Sequence, residues 1–187
     1  MATKGRGLPL ALELLEADHR KVEMLFDQFE EEKEGDEETK RQIAERVCAE
    51  LTAHAQLEEE LFYPWLRENL EEDDMEMVEE AQIEHNSAKD LIAQIQGATE
   101  IDATYDAKVK VLSEYIKHHV KEEEEEIFEE VRDQQDALDE LGQEMAARKT
   151  ELMEELGLMD DDAEQGAAQM AKSTRGKGSQ GAQRGSR

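Results

Sequence analysis

From Leu8 onward, apolar residues return every third or fourth position, the spacing that gathers side chains on one face of an α-helix. Leu8, Leu12, Leu15, Val22 and Phe26 predict a first helix that fades into the charged stretch Glu30–Gly35, where Gly35 can take the left-handed conformation that closes helices. Ile43, Val47, Leu51, Leu61 and Trp65 form the stripe of a second helix, and Pro64, lacking an amide donor, is expected to kink or end it. Asp73 or Asp74 is placed to cap a third helix, marked by Val78, Ala81, Ala88, Ile92 and Ile95 and stopped at Gly97. A fourth begins after Thr99–Asp102 and runs through Val109, Leu112, Ile116 and Ile127 to about Arg132.

Four amphipathic helices with short connections predict an all-α fold, an antiparallel up-down four-helix bundle. A fifth segment, Gln134–Leu156, keeps the spacing through Leu138, Leu141, Met145, Leu152 and Leu156, and is expected to dock beside the bundle as an additional C-terminal helix. Residues 1–7 read as a flexible leader and 8–157 as the folded domain. Residues 158–187 read as a disordered tail, acidic from Met159 to Gly166 and carboxylate-free and basic from Lys172 onward.

Composition sharpens this picture. The 187 residues contain only two prolines and are dominated by strong helix formers. A net charge of -28 opposes binding to nucleic acid and anionic membranes, both of which recruit Lys and Arg, and favours cations as guests. The single cysteine, Cys48, cannot form an internal disulfide, and no secretion signal or membrane-spanning run is present, so the expected location is the cytoplasm.

The histidines change the picture most. His19 falls within the Leu12–Leu15–Val22–Phe26 stripe and His54 within the stripe of Val47, Leu51 and Leu61. His85 falls between Val78 and Ile92, and His119 sits with Leu112, Ile116 and Ile127, so four helices each offer one inward imidazole. A lone core histidine needs only a hydrogen-bond partner, but four unsatisfied rings at one depth would cost about 1–3 kcal/mol each. Two helices add a glutamate one turn later, His54 to Glu58 and His119 to Glu123, on the same face as the histidine. In the fourth helix His118 with Glu122 meets the same spacing; His119 with Glu123 is preferred because it shares the apolar stripe. Imidazole nitrogen and carboxylate oxygen without thiolate suit iron, manganese or zinc, and six such ligands exceed one tetrahedral site.

These segments, Asp18-His19, His54-Ala-Gln-Leu-Glu58-Glu-Glu-Leu-Phe62-Tyr-Pro64, Glu84-His85 and His118-His119-Val-Lys-Glu-Glu-Glu-Glu-Glu-Ile-Phe128, resemble the hemerythrin-like domain with HHE cation-binding motifs. The resemblance covers about Leu8 to Leu156 and implies a bundle holding two iron ions, oxo- or hydroxo-bridged, on His19, His54, Glu58, His85, His119 and Glu123. Oxygen carriers of this family place a second histidine one turn from the first on the third helix, where this chain has Ala81 and Lys89, which argues against reversible oxygen transport. The second carboxylate motif lacks the proline of the first, so the fourth helix is expected to run on more smoothly.

The resulting expectation is a non-haem di-iron protein that binds or senses dioxygen, peroxide or nitric oxide, or handles iron in oxidative stress. Its partner is then a small diatomic ligand or peroxide, with neither membrane nor nucleic acid involved, and the sequence does not set an oligomeric state. An enzyme turning over peroxide or nitric oxide, and a metal-free acidic scaffold, are the alternatives.

Overall fold

The computed structural model describes residues 7–32 and 36–158. Gly35, most of the leader and the tail from Met159 onward lie outside them. Among the described residues seven α-helices follow one another: α1 Leu10–Glu31, α2 Glu37–Leu57, α3 Tyr63–Asn69, α4 Met75–Gln96, α5 Ala103–Glu122, α6 Phe128–Val131 and α7 Gln135–Glu155. Neighbouring contacts run α1 to α2, α2 to α4, α4 to α5 and α5 back to α1, which closes the four-helix bundle, while α7 lies outside against α1 and α2. Among the described residues no helix is long and apolar enough to cross a membrane.

Helix ends follow local chemistry. Asp36 caps α2 by accepting from the Glu38 and Thr39 amides, and Asp102 caps α5 by accepting from Thr104 and Tyr105. Gly97 ends α4 as its sequence position implies. Asp74 holds the first position before α4, but its side chain makes no capping bond; a short 3-10 turn, Glu72–Asp74, leads into the helix instead.

Pro64 does not end the second helix. A π-helical turn, Glu58–Phe62, joins α2 directly to α3, with the Tyr63 amide donating to the Glu58 carbonyl five residues back. The fourth helix was expected to run on smoothly without a proline, yet it carries the same turn at Glu123–Ile127, with the Phe128 amide bonded to Glu123. Proline is therefore not the cause. Both turns begin at the glutamate of a His-x-x-x-Glu pair, and the extra residue rotates everything after it by about 100° relative to a straight α-helix. Consequently Phe62 and Leu66 are fully buried, where the straight-helix stripe named Leu61 and Trp65, which are only partly buried.

The core is divided. One apolar cluster gathers Leu12, Leu15, Leu57, Phe62, Val78 and Phe128 with the inner face of α7; the other gathers Val22, Phe26, Leu51, Ile92, Leu112 and Ile116. Between them lies a buried polar layer that contains His19, His54, Glu58, His85, His119 and Glu123. Leu158, just past the expected boundary at Gly157, is buried in the first cluster.

Candidate metal centre

Each of the four inward histidines, His19, His54, His85 and His119, is carried by a different long helix and none is more than 6% exposed. Their Nε2 atoms turn inward in two pairs, His19 with His54 at 3.2 Å and His85 with His119 at 3.2 Å. Glu58 stands between the pairs, with one carboxylate oxygen 3.2 Å from His54 Nε2 and 3.2 Å from His85 Nε2. Glu123 Oε2 lies 3.2 Å from His19 Nε2. Two groups of donor atoms result: His19, His54, Glu58 and Glu123, and Glu58, His85 and His119, each within 4.8 Å, so that Glu58 belongs to both. The structure thus brings together all six residues named from the sequence; His118, by contrast, has a side chain 59% exposed and pairs with Glu122 on the surface.

The carboxylates behind the rings carried no distinct signal in the sequence. His19 Nδ1 meets Glu124 at 2.8 Å, His85 Nδ1 meets Glu59 at 3.1 Å, and His119 Nδ1 meets Glu84 at 2.8 Å. His54 Nδ1 faces Asp18 at 3.7 Å, longer than a hydrogen bond. An internal two-fold pattern organises these contacts. Asp18 and Glu84, each preceding the histidine of its own helix, serve the histidine of the next long helix. Glu59 and Glu124, each following an inward glutamate, serve His85 and His19 across the bundle. Cations back three of the four: Arg20 on Glu124, Lys89 on Glu59 and Lys149 on Asp18. Lys89, one turn from His85, therefore supports a ring from behind through Glu59. Tyr63, also unforeseen, is fully buried with its hydroxyl 3.1 Å from His85 Nε2.

This arrangement is electrostatically incomplete without a cation. An Nδ1–H that donates outward to a carboxylate leaves the Nε2 lone pair aimed at the centre. Glu58 and Glu123 add carboxylates that are 0% and 1% exposed, and all four of their oxygens lack a hydrogen bond. Buried anions so placed are costly unless paired or coordinated. Without metal the protonation states absorb the strain. Burial and the facing Glu123 charge push Glu58 well above the carboxylate range. Burial pulls His19 down, but Glu123 and Glu124 outweigh it and raise the ring to about 10. His54 falls to about 4 because burial dominates over Asp18. Tyr63 is driven well above its usual value by burial and by the charge of Glu58, so it remains a donor. The donor set fits hard or borderline metal ions: the residues carry opposite demands that a cation satisfies at once.

Comparison with known proteins agrees with this chemistry. A DNA nickase of Nostoc sp. is 26% identical over 147 residues, covering 78% of this chain but 40% of that protein, so the match spans well under half of the relative. No solved structure matched. The model of the hemerythrin HHE cation-binding domain matches residues 10–131, which takes in α1 to α6 and all six inward donors, and the chain belongs to that family.

Proposed function

We propose that this chain is a non-haem di-iron protein of the hemerythrin type that binds or senses dioxygen, peroxide or nitric oxide, or handles iron in oxidative stress. The observation that carries the reading is the pair Glu58 and Glu123, two buried carboxylates whose oxygens lack a hydrogen bond and face the Nε2 atoms of the histidines. His19, His54, Glu58 and Glu123 would hold one ion, and His85 and His119 the other, with Glu58 shared. Iron in this donor set supplies redox and Lewis-acid chemistry.

The chain's own residues set the conditions around it. The outer carboxylates fix each ring's orientation and keep Nε2 available. Val22, Leu51, Ile92, Ile116 and Val120, with the four histidines, Asp18 and Lys89, line a small, partly open pocket whose size suits a diatomic guest. The Tyr63 hydroxyl, 3.1 Å from His85 Nε2, would add a hydrogen-bond donor on the His85 side of the centre. Ala81 and Lys89 in place of a fifth histidine favour sensing or iron handling over oxygen carriage.

Protein expressed in iron-replete medium should contain about two iron ions with ultraviolet charge-transfer absorption that changes on reduction, and His54→Ala with His85→Ala should abolish both. An iron-free, colourless wild type that melts like the double variant would leave only an acidic helical scaffold. Metal analysis that returned manganese or zinc would keep the centre and change its chemistry.

DNA nicking, the activity in the Nostoc relative's name, is not part of this proposal, because a net charge of -28 repels a polyanion. Supercoiled plasmid incubated with the iron-loaded protein is expected to stay supercoiled.

A further inference from the structure

The two-fold pattern around the centre has one broken position. Three outer carboxylates each carry a Lys or Arg, whereas among the described residues no cationic side chain of that kind pairs with Glu84, whose ion pair is with His119. Its counterpart Asp18 is neutralised by Lys149 of α7, and α7 packs on the α1 and α2 side of the bundle. Under α7 the second helix presents Ala53 and Leu57, both buried. Sixty-five residues on, the offset that superposes Glu58 on Glu123, the equivalent positions are His118 and Glu122, whose side chains are exposed and partly exposed among the described residues.

Where the first half has a lysine, the second half therefore has an imidazole and a carboxylate beside a buried carboxylate. His118 Nε2 lies 3.1 Å from Glu122, and one donor atom from each of Glu84, His118 and Glu122 falls within 4.8 Å of the others. A second observation points the same way. The cleft between α4 and α5 at this place is lined by Glu80, Glu84, His119, Glu122, Glu123 and Glu126. Glu123, 1% exposed, with Oε2 turned to His19 Nε2 and Oε1 without a hydrogen bond, forms part of this lining, so the cleft runs from Glu122 at the surface to a carboxylate of the buried centre.

The geometry points to a third, surface cation site at Glu84, His118 and Glu122, through which divalent metal reaches the buried centre. The entry role rests on the reading of the centre given above; the surface site stands by itself. One nitrogen and two carboxylate oxygens, all but Glu84 accessible, make a site weak enough to release its ion. A divalent ion there would take the place that Lys149 holds in the other half.

Cobalt(II) titration and time-resolved loading of the full-length, metal-free protein, followed by visible absorption, test this. The combined change His118→Ala and Glu122→Gln alters only partly exposed side chains, and Glu125→Gln removes an equal charge on the next helical positions as a control. Wild type should bind two tight equivalents and one weaker; the double variant should lose the weaker one and fill the tight pair about 10-fold more slowly, to the same final stoichiometry. Glu125→Gln should load like wild type. A double variant that keeps the weaker equivalent, or loads at the wild-type rate, overturns the proposal and leaves His118–Glu122 an ordinary surface pair. If wild type shows no tight equivalents, the buried centre and the entry role fail together, and the weaker equivalent alone decides the surface site.

Discussion

Lys149 ion-pairs with Oδ1 of Asp18, whose Oδ2 faces His54 Nδ1 at 3.7 Å. Lys149 belongs to α7, which follows the stretch matched by the family, so an added helix reaches the centre through a single carboxylate. Burial pushes the Asp18 carboxyl up, yet His54 and Lys149 together bring it below the ordinary aspartate value. Replacing Lys149 by Met keeps the length and removes the charge. We expect a loss of about 1–3 kcal/mol, the cost of leaving a buried partner unmatched, together with up to about 10-fold faster metal loss to a chelator. Stability falling with metal retention untouched would make Lys149 a staple for α7 alone.

Glu58 separates a ligand from a structural residue by sign. Glu58→Gln preserves shape and removes a buried carboxylate that no hydrogen bond compensates. The metal-free protein should therefore melt at the same or a higher temperature, since burial and Glu123 force Glu58 to hold a proton that the unfolded chain releases, a cost that the neutral amide does not carry. The metal-loaded protein should lose its ions, and with them the stabilisation that binding confers. A fall in metal-free stability would mean that Glu58 serves the fold rather than an ion.

The two halves of this picture were unequally legible in the sequence. Helices and the inward histidines could be read because Leu12, Leu15, Val22, Leu112 and Ile116 fix a face, and His19 and His119 fall on it. Phe62 and Leu66 were missed because a constant rotation of about 100° per residue cannot register the π-helical turn at Glu58–Phe62. Tyr63 was missed for the same reason. Asp18, Glu59, Glu84 and Glu124 carried no signal of their own among 50 acidic residues. Their adjacency to His19, Glu58, His85 and Glu123 was the one available clue, and only the crossing of helices shows which ring each one serves.

Gly142 sets how closely α7 can approach α1. A methyl group there would stand 2.5 Å from the Ala11 amide nitrogen and 2.8 Å from the Leu10 carbonyl carbon, backbone atoms that cannot swing aside. Gly142→Ala should gain roughly 0.5–1 kcal/mol of helix propensity and lose about 1–3 kcal/mol to overpacking, so the net sign is destabilising. Because α7 also carries Lys149, amide exchange should rise along Leu141–Met153 before it rises in α4 or α5. Equal protection in all helices, with an unchanged melting temperature, would show that the α1–α7 contact is looser than these distances indicate.

Cys48 gives the chain a predictable response to alkali. The thiol is 1% exposed in the second apolar cluster. Burial, aided by the charge of Glu45, raises it from 9.0 to about 12. Folded protein then holds a proton that the unfolded chain releases, so stability from this group is complete below pH 9 and declines as pH rises towards 12. Each unit within that window should remove about 1.4 kcal/mol. Urea midpoints at stepped pH, compared with Cys48→Ala, isolate this slope from the lysines that titrate in the same range. The variant should start less stable because of the cavity it leaves, and its curve should be flatter. Alkylation by iodoacetamide at pH 8 should likewise be slow in the native protein and fast in urea, because the reactive thiolate is suppressed until the chain opens. Parallel pH slopes for the two proteins, or rapid native alkylation, would place Cys48 at a site open to solvent.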